Sequence, residues 1–210
     1  MNHVAERVGI GALADQAEAL GYGISMPEAE RTVLIEAYRA AETILEYGSG
    51  GSTILACLLG KRVHAVESDL KWAGDLSGVI GRNFEGDRAV VVPVDIGPTK
   101  AWSFPADNSG YEGYSNYPNA VWDRADFRHP DLILIDGRFR VACLMTALQR
   151  VRRPTRVLFD DYRERPYYHW VEELAKPVAL HGRMAEFRVD RTAIPDTNFA
   201  RMIAAYADFR

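Results

Sequence analysis

Two sets of residues in this chain are spaced as if for chemistry. The first lies in Ile44–Thr53, ILEYGSGGST, where an apolar run carrying Glu46 opens into Gly48, Gly50, Gly51 and Ser52. Glycine lets a backbone turn sharply and come close to a ligand, so a chain this bare after an apolar run predicts a binding loop at a strand exit. It is not a phosphate loop of the GxxxxGK[ST] type, because no lysine follows. A dinucleotide fingerprint GxGxxG fits Gly48 and Gly50, but its third place falls on Thr53, where helix and strand need a glycine to pack closely. The second set is acidic: Asp136 in LILIDGRFR, and Asp160 and Asp161 in VLFDDYRERPYYHW. Three carboxylates on one rim repel one another unless they are protonated or bind a cation. A hard divalent ion with oxygen ligands, Mg²⁺, is therefore expected on Asp136, Asp160 and Asp161. Side chains of sequential strand residues point to opposite faces, so both Asp160 and Asp161 reach one ion only if the strand ends at Phe159. Asp136 and His169 are the candidates for catalysis.

Positioning these groups requires strands that end at one rim. The segments TILEYG, RVHAVES, AVVVPVD, DLILID and TRVLFDD are short, nearly continuous apolar runs separated by helical stretches. This pattern indicates a parallel sheet covered on both faces, joined by right-handed crossovers. Two helices precede it, one over Val4–Leu20 and one beginning at SMPEAE, with Ser25 as cap, Pro27 in the first turn and Glu28 completing a capping box. A helix is expected after Ser68 or Asp69, another near Pro166–Leu174 and a last one over Asp196–Asp208. KPVALHGRMAEFRVDR reads as two strands joined at His181–Arg183. Between the third and fourth runs lies an irregular segment, Gly97 to Pro118, with Trp102, Tyr111, Tyr114 and Tyr117. Loops of this length are commonly functional, and this one is expected to be a mobile lid that closes over a substrate.

Glu46, Gly48 and Gly50, with Ser52 in the place of the last glycine, resemble motif I (E/D-x-G-x-G-x-G) of the class I S-adenosylmethionine-dependent methyltransferases. The resemblance covers roughly Thr43–Arg191. It implies that Glu67, ending VHAVE, accepts hydrogen bonds from both ribose hydroxyls of the cofactor, and that Asp95, with Ile96 beside it, meets the adenine. Gly51 falls within the same cofactor loop. The acids at the ends of the fourth and fifth strands are similar to those of metal-dependent O-methyltransferases of the catechol type, and closer still to the macrocin type. In those families the metal binds substrate hydroxyls and lowers their pKa. The macrocin-type pattern often has a histidine three residues after the first aspartate; here Phe139 stands there, and His169 is the substitute. Tyr162 and Arg163 are expected to line the acceptor pocket. Arg138 and Arg140 suggest either an anionic acceptor or salt bridges to the acidic rim, the latter being commoner.

The implied fold is a doubly wound three-layer α/β/α sandwich of seven mostly parallel strands. Its last strand is antiparallel, and it carries extra N-terminal helices. One domain, 1–210, is expected: a helical extension (1–42), a Rossmann-like core (43–191) and a C-terminal helix (192–210). The implied activity is methyl transfer from S-adenosylmethionine to a small-molecule oxygen nucleophile. A cofactor-binding protein without turnover is the rival, and a nicotinamide dehydrogenase is disfavoured by Thr53.

The composition narrows the alternatives. The chain is 48% hydrophobic and 26% charged with a net charge of -4, a soluble globular balance without the basic excess of a nucleic-acid binder. The cluster Arg150, Arg152, Arg153 and Arg156 reads as a solvated helix end. No apolar run approaches the roughly 20 residues that span a bilayer. Cys57 and Cys143 sit in apolar runs as free thiols of a reducing compartment. The expected setting is cytoplasmic, and the expected partner is a small-molecule acceptor, with neither nucleic acid nor membrane. Self-association as a homodimer is left open.

Overall fold

The computed structural model describes residues 9–210. Nine strands are present: β1 Thr43–Tyr47, β2 Arg62–Glu67, β3 Ala89–Pro93, β4 Thr99–Lys100, β5 Phe104–Pro105, β6 Leu132–Ile135, β7 Thr155–Phe159, β8 Ala179–His181 and β9 Met184–Val189. The helices are α1 Ile10–Ala19, α2 Glu28–Ala40, α3 Gly51–Leu58, α4 Leu70–Asn83, α5 Asn116–Asn119, α6 Arg140–Arg150 and α7 Phe199–Ala207. Seven strands form one sheet in the order β3-β2-β1-β6-β7-β9-β8, and β4 and β5 form a separate hairpin. Within the seven-stranded sheet all pairings are parallel except those of β9 with β7 and β8.

The apolar runs are buried on both faces because successive residues feed different cores. Leu45, Ile133, Ile135, Val157 and Phe159 pack with α6 and α7. Ile44, Leu132, Leu134 and Leu158 pack with α1, α2 and α3. Burying each such side chain contributes about 1.5–3 kcal/mol, which is why these runs are strands with helices on both sides. Chain order reverses between β1 and β6. In an open α/β sheet this is where a crevice opens beyond the strand ends.

Two glycines of this loop are explained at the switch point by the chain itself. Gly48 has φ 97, and a Cβ there would lie 2.8 Å from the backbone N of Gly137 at the end of β6. A Cβ on Gly51 would stand 2.4 Å from the carbonyl oxygen of Gly23. Around Gly50 the space is open, with only the Trp72 ring at 3.7 Å. Gly51→Ala is therefore expected to destabilise the fold by about 1–3 kcal/mol, visible as a lower urea midpoint at unchanged slope.

Several local expectations are revised. The helix expected over Val4–Leu20 is observed from Ile10, and its earlier part lies outside the described residues. Ser25 does not cap α2; Pro27 holds the cap position and no side chain caps it. Asp69 does cap α4, accepting from the Trp72 amide at 2.9 Å. Pro166–Glu173 is a 3₁₀ rather than an α-helix, consistent with its run of aromatic and β-branched residues, which lose rotamer freedom in an α-helix. The arginine cluster is paired in part: Arg150 with Asp123, Arg153 with Asp131 and Arg156 with Glu186. Cys143 is buried, Cys57 is only partly so, and both are free. No helix among the described residues is long and apolar enough to cross a membrane.

Candidate active site

A cavity of about 1000 Å³ opens at the switch point. Its walls come chiefly from the loop Gly48–Ser52, the end of β2 with the start of α4, the tip of the β4–β5 hairpin, the loop after β6, Tyr117, and Glu18 with Gly21–Met26 opposite. Asp161, Arg165 and Arg183 close the end beneath β7 and the β8–β9 turn.

Glu67 faces this cavity with both carboxylate oxygens engaged. Oε1 accepts from the amides of Ser68 (2.8 Å) and Asp69 (2.9 Å) and from the Ser103 hydroxyl (2.9 Å). Oε2 accepts from the Ser49 amide (3.2 Å) and hydroxyl (2.9 Å). One serine hydroxyl therefore sits on each oxygen, the arrangement a vicinal diol would make. Trp72 stands beside it, 41% exposed, its indole N–H donating to the Ser49 carbonyl at 3.0 Å. Tyr22 meets the Trp72 ring edge-on at 5.0 Å.

Glu46 does not reach the cavity. It is fully buried, and its carboxylate accepts from the Tyr38 hydroxyl and from the Thr53 hydroxyl, each at 2.5 Å. Thr53 in turn accepts from the Gly50 amide at 3.1 Å. Burial pushes the Glu46 carboxyl up to about 7, against the pull of these hydrogen bonds. Its role is to hold the loop's shape from below. Asp95 and Ile96 also lie off the cavity: Asp95 is exposed and accepts from the Gly97 amide at 2.8 Å in a local turn, and Ile96 is buried in the core.

The three acids do converge. β7 ends at Phe159, Asp161 adopts a left-handed backbone (φ 57), and oxygens of Asp136, Asp160 and Asp161 lie within 4.8 Å of one another. Guanidinium groups also lie among them. Arg183 forks onto Asp160 at 2.7 and 3.1 Å and also reaches Asp161 at 3.0 Å. Arg140 bridges Asp136 and Asp161, both at 3.1 Å, and Arg165 binds Asp161 at 2.7 Å. Three guanidinium groups already neutralise this cluster and engage both oxygens of Asp160 and Asp161 and one of Asp136, a donor set that does not fit an Mg²⁺ site. Arg183, which the sequence reading did not place here, is supplied by the β8–β9 turn. Addition of Mg²⁺, Mn²⁺ or Ca²⁺ should leave the melting temperature unchanged, whereas a bound ion would raise it by mass action.

Within this cluster Asp136 differs from its neighbours. It is the most exposed of the three, at 34% of its side chain against 15% for Asp161 and 1% for Asp160. Desolvation pushes its carboxyl up to about 7; Asp160 and Asp161 add to the rise, and Arg140 and Arg183 oppose it. His169 is not brought to the cavity. Its ring stacks on Tyr162 (4.7 Å between centroids) and its Nε2 lies 3.0 Å from the Tyr162 carbonyl. Tyr162 itself is buried with its hydroxyl donating to Glu172 at 2.9 Å, and Arg163 points outward, so neither lines the cavity. Phe139 is fully buried against Tyr114 and Tyr117. Those two tyrosines are buried, Tyr117 with an edge on the cavity, so the segment Gly97–Pro118, expected as a lid, is not free throughout its length; Tyr111 (64%) and Trp102 (79%) are exposed, Trp102 at the cavity edge.

This strand order with a glycine loop, a strand-two acid and a cavity at the switch point defines the class I, Rossmann-like methyltransferase fold. A methyltransferase-like protein from Silicibacter pomeroyi is 42% identical to this chain, with a TM-score of 0.83 over 89% of this chain and 98% of that one. The chain belongs to that family. Its fold is also similar to an SAH-bound methyltransferase from Podospora anserina (16% identity, TM-score 0.57, 85% and 87% covered). An SAH-bound O-methyltransferase from Bacillus cereus is comparable (16%, 0.51, 86% and 90%). No protein-family model and no curated protein matches the chain.

Proposed function

We propose that this protein binds S-adenosylmethionine and transfers its methyl group to an oxygen nucleophile of a small molecule, with Asp136 as the general base. The observation that carries this reading is a single cavity lined both by Glu67, with the open Gly50 beside it, and by the partly exposed carboxyl of Asp136. The site fits the cofactor in two respects. Glu67 already holds one hydroxyl on each oxygen, and the loop at Gly50 leaves room for a ligand against the backbone.

When bound, S-adenosylmethionine supplies a methyl group activated on a sulfonium. Glu67 would hold the ribose, the Gly48–Ser52 loop the adjoining chain, and Trp72 would wall the adenine side. Asp136 would accept the proton of the acceptor hydroxyl as that oxygen takes the methyl group. A base with a pKa near the working pH suits this task. Arg140 would keep the Asp136 carboxylate aimed after ionisation. No step requires a metal.

Calorimetry with S-adenosylhomocysteine (SAH), S-adenosylmethionine and NAD tests the cofactor, and release of SAH with a panel of hydroxylated acceptors tests turnover. Binding of NAD in preference to SAH would overturn the reading. SAH binding without turnover on any acceptor would leave a cofactor-binding protein that does not catalyse.

A further inference from the structure

Four arginines line the cavity, and three of them are accounted for. Arg140, Arg165 and Arg183 are tied to the three aspartates. Arg138 is not. It is only 6% exposed, yet among the described residues no carboxylate pairs with it, and its Nε and Nη1 are buried without a hydrogen-bond partner. Its guanidinium lies over the Phe104 ring, 3.9 Å from the centroid, and its backbone amide donates to the Tyr117 hydroxyl at 3.4 Å. Desolvation and the neighbouring Arg140 both lower its pKa, so the surroundings disfavour its charge.

A desolvated charge without a partner is costly, and an aromatic face offsets only part of that cost. An acid is absent from this one position in a cavity where every other arginine has one. The planar fork of a guanidinium matches a carboxylate in two parallel hydrogen bonds. Arg138 lines the same cavity as Asp136 and lies two residues along the chain from it; under the reading above the acceptor hydroxyl lies at Asp136.

We infer that Arg138 is an anion anchor that binds the carboxylate of the methyl acceptor, so that the substrate class is hydroxy acids. The location at the acceptor end rests on the methyl-transfer reading; the existence of an anion site does not. Asp136 and Arg138 then divide the work, one taking the hydroxyl proton and the other fixing the acid group. Phe104 stacks on the guanidinium and holds it in the cavity wall.

The test uses the full chain saturated with SAH. Binding of acetate, benzoate and salicylate, and of the neutral benzamide and salicylamide, is measured by calorimetry for the wild type, Arg138→Met and Arg138→Lys. The expected result is that at least one acid binds the wild type at least tenfold more tightly than its amide. Arg138→Met should abolish this preference, and Arg138→Lys should keep part of it. SAH affinity should stay unchanged in both variants. If Arg138→Met does not fold, Arg138→Lys still reports, because it keeps the charge and loses the fork. Equal binding of acids and amides by the wild type would overturn the inference. So would a loss of SAH affinity in Arg138→Met with unchanged affinity for 5′-methylthioadenosine, which lacks the amino-acid carboxylate; that would assign Arg138 to the cofactor. Acid binding without any methyl transfer would overturn the proposed activity and leave the anion site standing. Turnover of neutral acceptors with no acid preference would do the reverse.

Discussion

Asp136→Asn should lower the methyl-transfer rate about 10²- to 10⁴-fold, the usual contribution of a positioned general base, while SAH affinity stays within about threefold. Asparagine keeps the shape and the contact with Arg140 but cannot take a proton. The wild-type rate should rise with pH and level off above about 7, because only the ionised carboxylate is a base and its pKa is held near 7. Stability should move the opposite way. A carboxyl whose pKa is higher in the folded than in the unfolded chain stabilises the fold when protonated, and that contribution is lost as pH rises from the ordinary 3.8 through about 7. The asparagine variant should therefore melt above the wild type at pH 8, with the difference shrinking toward pH 4. Initial rates and melting curves across this range measure both. A rate within threefold of wild type would place the base elsewhere.

The parts of this molecule that were legible in the sequence share one property: their cause is local. Apolar runs such as LILI and VLF are strands because both faces are covered, and an unbroken run of apolar residues says so directly. The glycine loop and the acid ending β2 follow from what must surround a strand exit. Roles inside that loop were not legible, because they are set by chain segments far away. Gly48 is kept bare by Gly137 and Gly51 by Gly23, so of the three glycines only Gly50 faces open space. Glu46 reads as a ligand contact, but Tyr38 and Thr53 close over it. Thr53, the residue that spoils a dinucleotide fingerprint, has its hydroxyl between Glu46 and the Gly50 amide. The convergence of three acids was legible from adjacent strand ends. Their neutralisation was not, since Arg183 comes from the β8–β9 turn, 23 residues beyond Asp160. Trp72 carried a faint signal, an aromatic on the first turn after the strand-two acid. Ser103 carried none, because its place depends on a hairpin within a segment without periodicity.

Glu67→Ala should weaken SAH binding at least tenfold, and Ser103→Ala should leave it unchanged or tighten it. The two expectations differ for one reason. Both oxygens of Glu67 are already occupied, by the hydroxyl of Ser49 on one and of Ser103 on the other. A ribose diol gains its hydrogen bonds to the carboxylate only by displacing these hydroxyls. The net gain is therefore smaller than two charge-assisted bonds of about 1.5–3 kcal/mol each, and a tenfold effect corresponds to about 1.4 kcal/mol. Removing the carboxylate forfeits that gain and also frees the amides of Ser49, Ser68 and Asp69 that shape the pocket. Removing the Ser103 hydroxyl takes away a competitor and unties the β4–β5 hairpin from the strand end. Trp102 and Ser103 both hold left-handed backbones (φ 62 and 55), so the hairpin tip is in a sparsely populated conformation. Its release from Glu67 costs less than release of a relaxed turn would. Calorimetry with SAH on the two variants and the wild type reads both. Unchanged affinity in a folded Glu67→Ala would remove this residue from the cofactor site. A weaker Ser103→Ala would show that the hairpin closes on the cofactor and helps to bind it, instead of standing in its place.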